Sequence, residues 1–183
     1  MDKIYGYIGV ALTLLKFPHV AWIAYTLHNG HQRRASASVL IVMLADIADG
    51  KMFNKSSLAK NPAWKKFRRL ADVSGDRVAI DSTMVAMTAY CLFPVRYYAV
   101  EIAREVILLG LIFYGFATKR PLEEPNNPSR AAAWCVGCMA IAWLWQYQQF
   151  SLLCLIPTAA FGIWGLHQYY RTIIQQCRQK GAE

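Results

Sequence analysis

Along the chain, apolar stretches alternate with short polar connections. A helix needs roughly 20 apolar residues to cross a bilayer, and six stretches approach or exceed that length. They are Tyr5 to Leu27, Ala35 to about Phe53, Asp72 to Phe93, Val95 to Thr118, Ala131 to Trp145, and Phe150 to Tyr170. The fifth is short, so a span there must extend or thin the bilayer locally. Pro18 and Pro157 fall inside spans, where neighbouring helices compensate for a lost backbone hydrogen bond. The pattern predicts an all-α integral membrane protein of six transmembrane helices, forming one domain over residues 1–183.

The connections orient this bundle. With six spans, both termini lie on the same side as the second-to-third and fourth-to-fifth connections. That side carries Lys3, Lys51, Lys55, Lys60, Lys65, Lys66, Arg68, Arg69, Lys119, Arg120, Arg130, Arg171, Arg178 and Lys180, whereas the other carries only Arg33, Arg34 and Arg96. Basic residues accumulate on the cytoplasmic side of membrane proteins, so both termini are expected there. The net charge of +9 is thereby assigned to membrane-flanking segments, and nucleic acid is not expected as a partner. The basic connection from Lys51 to Ala71 interleaves Trp64 and Phe67 around Pro62. It reads either as an amphipathic segment lying on anionic headgroups or as a plain positive-inside loop. Glu123, Glu124, Pro125, Asn126, Asn127 and Pro128 read as a polar turn.

Composition strengthens the membrane reading. Apolar residues make up 56% and charged residues 17%, too far from ordinary soluble proportions for a water-exposed domain. Asp2 and Lys3 precede an apolar run with no small-residue cleavage site, so the first stretch is expected to remain as a span. Cys91, Cys135, Cys138, Cys154 and Cys177 all lie in or beside apolar runs, which implies no disulfide framework. The C-x-x-C of Cys135 and Cys138 reads as small packing residues within a span.

The chemistry is concentrated between Ala45 and Asp81. Asp46/Asp49 and Asp72/Asp76 stand at the ends of two apolar stretches, and spacings of three and four residues put each pair on one helix face. Unpaired charge in low dielectric is costly and tends to be functional where it persists. A set of oxygen ligands points to a hard divalent cation, Mg2+ or Mn2+. Three cations also lie within spans: Lys16, Arg77 and Arg104. Each could bind a phosphate-bearing alcohol, which needs fixed positive partners. Arg77 beside Asp76 and Arg104 beside Glu105 could equally balance a buried acid. Asp81 and Glu101 read as supporting or helix-pairing groups. His28 and His31 bracket Asn29-Gly30 in a turn on the opposite side, where no metal role is expected.

Asp46-x2-Asp49-Gly50, followed by Asp72-x3-Asp76, resembles the signature of the CDP-alcohol phosphatidyltransferases, D-x2-D-G-x2-A-R-x8-G-x3-D-x3-D. In that family the signature spans the second and third of six transmembrane helices and faces the cytosol. All four acids and the first glycine are present. The interval between Gly50 and Asp72 is five residues longer than the pattern, no Ala-Arg follows Gly50 at the expected distance although Ala59-Lys60 stands in for it one residue out of register from Asp72, and Arg68 replaces the second glycine. Thr13-x2-Lys16 is similar to the T-x-x-R of the first helix in bacterial phosphatidylglycerophosphate synthases, and Ala103-Arg104-Glu105 to their A-R-E. Of their basic approach to the fifth helix only Arg130 is present.

The resemblance implies a transferase that moves a phosphatidyl group from a CDP-linked lipid, such as CDP-diacylglycerol, to a small alcohol, with glycerol 3-phosphate one candidate, releasing CMP. It implies Asp46, Asp49 and Asp72 as metal ligands, Asp76 as ligand or catalytic base, and two Mg2+ or Mn2+ ions. Gly50, Lys60, Gly75, Thr13, Lys16, Arg77, Arg104 and Arg130 are implied in substrate binding, and a homodimer is expected. Two other readings of the same residues stand beside it. One is an intramembrane prenyltransferase, which also holds Mg2+ with aspartate pairs. The other is a catalytically degenerate scaffold or transporter of the same fold.

Overall fold

The structure is a computed structural model describing residues 2–117 and 127–180. Lys119, Arg120 and the polar stretch from Glu123 to Asn126 lie outside the described residues. The protein is all-helical, with six α-helices and one short 3-10 helix among the described residues: α1 (Asp2–His28), α2 (Gln32–Asn54), the 3-10 turn Ser57–Lys60, α3 (Pro62–Cys91), α4 (Val95–Ala117), α5 (Asn127–Leu144) and α6 (Gln148–Lys180). Among the described residues, two helices are long and apolar enough to cross a membrane: Lys3–His28 within α1 and Gln148–Gln175 within α6.

The chain forms two compact units, Met1–Phe93 with Ala140–Tyr147, and Pro94–Met139 with Gln148–Glu183. In the first, α1 packs against both α2 and α3. The buried face of α1 recurs at helical spacing through Gly6, Gly9, Val10, Thr13, Lys16, Ile23, Thr26 and Leu27. Most of these residues are small or polar. The opposite face, with Ile4, Ile8, Leu14, Leu15 and Trp22, is exposed. On α2, Ala35, Ser36, Ser38, Val39, Asp49 and Phe53 are buried, and Leu40, Ile41, Leu44 and Ile47 are exposed.

Small residues set how closely these helices approach. A Cβ on Gly9 would lie 3.0 Å from the Asp49 carbonyl oxygen and 3.1 Å from the Phe53 backbone nitrogen. The backbones of α1 and α2 therefore meet at this point, close to the second acid. Gly30, with φ +74°, takes the left-handed conformation that ends α1, and the His31 N–H donates to the Thr26 carbonyl at 2.8 Å.

Helix α3 begins ten residues before the predicted span. The Asn61 side chain accepts from the Ala63 and Trp64 N–H groups at 3.0 and 3.4 Å, and Pro62 occupies the first turn, where its missing N–H costs nothing. Much of the basic connection is therefore the opening of α3. Trp64 meets Tyr7 edge-on, with ring centroids 5.7 Å apart, beside a small core of Val10, Phe53 and Leu58.

In the second unit α4 packs on α6. Arg104 crosses Gly162, whose Cβ would lie 3.1 Å from the arginine Cδ.

Candidate functional site

Three helices of the first unit place their charged residues in one cluster. The Lys16 ammonium, 1% exposed on α1, lies 2.7 Å from Asp46 Oδ1, 2.9 Å from Asp72 Oδ1 and 2.5 Å from Asp76 Oδ1. Asp49 Oδ2 is 3.9 Å from the same nitrogen. One cation on α1 thus gathers acids from α2 and α3, and all four sequence-identified aspartates meet around it.

The four acids differ in access. Asp49 is fully buried, with side-chain exposure of 0%, against 24% for Asp72, 34% for Asp46 and 42% for Asp76. A carboxylate as deep as Asp49 needs partners on both oxygens. The Thr13 hydroxyl donates to Oδ2 at 2.6 Å, and Arg68 Nη2 donates to Oδ1 at 2.9 Å. Arg68 also reaches within 3.9 Å of Asp72 Oδ2 and lies over the Phe53 ring, 5.1 Å from its centroid. The residue standing in place of the signature's second glycine therefore turns into the cluster. Its spacing of four from Asp72 on one helix was the available signal, because such a pair shares a face.

Asp46, Asp49 and Asp72 each offer an oxygen lying within 4.8 Å of the other two, a group that could hold a metal ion. The donors are carboxylate oxygens alone, the set preferred by hard divalent cations. Asp76 belongs to the cluster through Lys16 and is its most open member.

The remaining predicted positions are distributed as follows. Gly75 is buried, and a Cβ there would lie 3.3 Å from Lys16 Cδ, so this glycine makes room for the lysine stem. Gly50 is half-buried beneath Arg68, whose Nη2 would be 3.6 Å from an added Cβ. Lys60 is exposed at the end of the 3-10 turn, and Arg77 is half-buried directly after Asp76. Arg104 and Arg130 belong to the second unit. There Arg104 pairs with Glu101, reaches Glu105 at 3.0 Å and donates to the Ser129 carbonyl at 3.3 Å, while Arg130 is exposed at the start of α5.

At the far end of α1 and α2, His31, Arg33, Arg34, Trp145 and Tyr147 line a groove of about 580 Å³ that contains no carboxylate. His28 there packs edge-on against Tyr90, with centroids 5.2 Å apart.

Comparison with protein-family models, with curated proteins and with solved structures gives no match to this chain.

Proposed function

We propose that the protein is an integral membrane transferase of the CDP-alcohol phosphatidyltransferase type. It would use a divalent cation at Asp46, Asp49 and Asp72 to transfer a phosphatidyl group from a CDP-linked lipid to a small alcohol. The reading rests above all on one observation: acids spaced D-x2-D-G on α2 and D-x3-D on α3 bring three carboxylate oxygens within 4.8 Å of one another. Outward-facing Leu and Ile on α1 and α2 support a lipid setting, and six spans with the cluster opening to the cytoplasm remain the arrangement we favour from the distribution of basic residues.

When bound, Mg2+ or Mn2+ would offset the charge that develops on the leaving CMP. The chain's own residues do the rest. Asp49, clamped by Thr13 and Arg68, is a fixed point of the site, since neither of its oxygens is free to rotate away. Asp76, the most exposed acid, is the group an incoming alcohol can reach, and it would accept the proton of the attacking hydroxyl. Arg68 presents a guanidinium beside Gly50, where it would face the donor's diphosphate.

The test is CMP release by purified protein given CDP-diacylglycerol and Mg2+, screened against glycerol 3-phosphate, inositol phosphate and serine. The expected result is metal-dependent CMP release with one acceptor, lost in Asp76→Asn. If no CDP-linked donor is consumed and competition comes instead from a prenyl diphosphate, the prenyltransferase reading takes its place. If neither donor reacts, the scaffold reading does.

A further inference from the structure

We propose that the groove beyond the end of α1 seats the headgroup phosphate of an anionic phospholipid, held by Arg33 and Arg34. This requires α1 to cross a bilayer and does not depend on the transfer reaction proposed above.

The groove is built by two turns that the chain brings together within the first unit. One wall is the Gly30 turn and the opening of α2, with His31, Arg33 and Arg34. The other is the turn that follows α5, where Gln146 has φ 64° and the Tyr147 N–H donates to the Ala142 carbonyl at 2.9 Å. The Trp145 indole N–H ties the walls together by donating to the Ser36 hydroxyl at 2.7 Å. That hydroxyl donates in turn to the Arg33 carbonyl at 2.8 Å. Leu144, buried to 2% exposure, lines the space between them. The volume of about 580 Å³ falls in the range of small-ligand sites.

The charge of this groove selects its occupant. Its lining holds two arginines and no carboxylate. The first turn of α2 carries no acid, and His31 makes no side-chain cap bond, so the positive end of that helix's dipole adds to the two guanidiniums. Guanidinium forks match phosphate oxygens. A positive site favours a headgroup whose phosphate charge is not cancelled by an attached choline, so phosphatidylglycerol suits it better than phosphatidylcholine.

Position supplies the source of the phosphate. The membrane-length segment of α1 ends at His28, just before Gly30. The groove therefore lies at the level where headgroups meet water. Trp145 and Tyr147, 55% and 64% exposed, are of the aromatic types that collect there. Basic pockets beside transmembrane helices at this depth bind phospholipid headgroups. A free phosphate could meet the same guanidiniums, but a leaflet presents lipid phosphate at a far higher local concentration.

The experiment is native mass spectrometry of the full chain in detergent, titrated with phosphatidylglycerol or phosphatidylcholine, for wild type and two variants. Arg33→Gln/Arg34→Gln removes two exposed guanidiniums and leaves the packed face of α2 intact. Lys51→Gln/Lys55→Gln removes the same charge from exposed positions roughly 30 Å along α2, beyond the reach of screened electrostatics. Wild type should bind phosphatidylglycerol about tenfold more tightly than phosphatidylcholine, and the arginine variant should lose about that factor. The lysine variant should match wild type. In wild type alone, phosphatidylglycerol with a photoreactive headgroup, placed in nanodiscs, should crosslink to the peptides that contain Arg33 and Trp145. Equal binding of the two lipids, equal loss in both variants, or crosslinks confined to other peptides would each overturn the proposal. So would displacement of the lipid by an equal concentration of inorganic phosphate, which would make the groove a soluble-anion site. CMP release is unaffected by any of these failures, so the transferase reading is judged separately.

Discussion

At the scale of single residues, the sequence marks out the acids but hides their counter-ions. Asp46/Asp49 and Asp72/Asp76 are legible because a helix fixes which residues share a face over three or four positions. Lys16 is legible as a cation in an apolar stretch and, by resemblance, as a substrate-binding residue, but not as the partner of these acids, which lie 30, 56 and 60 residues away, where helix periodicity carries no information. Arg68 looks like a mere departure from a pattern until α3 turns it inward onto Asp49. That pairing can be measured. Arg68→Met removes one partner of a fully buried carboxylate, and stranding such a charge costs roughly 3–5 kcal/mol. Denaturant unfolding in detergent should show a loss of that size, and a loss near zero would mean that Thr13 and Lys16 suffice for Asp49.

At the scale of elements, the helices and the Asn29-Gly30 turn follow from hydropathy and from glycine's access to positive φ. The start of α3 does not. Lys65, Lys66, Arg68 and Arg69 depress the hydropathy of that segment, so a search for apolar runs begins the helix at Asp72. Backbone helicity requires no apolar run, however, and Asn61-Pro62 is a recognisable start of its own. The consequence is functional, because Arg68 can reach Asp49 only if α3 already exists at that point. Helix approach is the other element-scale property, and two glycines test it as a pair. Gly9→Ala would press a methyl against backbone atoms of α2 at 3.0 to 3.1 Å, which cannot yield as a side chain would, and should cost about 1–3 kcal/mol. Gly110→Ala meets nothing within 4 Å on α4 and should stabilise by up to about 1 kcal/mol through helix propensity. Thermal unfolding of the two variants should move in opposite directions, and a shared direction would contradict the close α1–α2 packing.

At the scale of the whole molecule, α1 and α2 bury Thr13, Lys16, Ser36, Ser38 and Asp49 beside Val10, Ile23, Val39 and Phe53 and expose several Leu and Ile side chains, and α1 is long and apolar enough to cross a membrane. The orientation proposed from the distribution of basic residues can be tested. A cysteine introduced as Lys60→Cys, in a background with the native cysteines replaced, should react with an impermeant thiol reagent in inside-out vesicles and be protected in right-side-out ones. The reverse labelling would place the carboxylate cluster on the wrong face for a cytoplasmic nucleotide donor.

The account depends on the carboxylates of α2 and α3 forming one cation centre. An anomalous difference map from crystals of the protein grown with Mn2+ tests this directly. We predict a peak bounded by Asp46, Asp49 and Asp72. The account would be contradicted by a map with no peak among these three aspartates at saturating Mn2+.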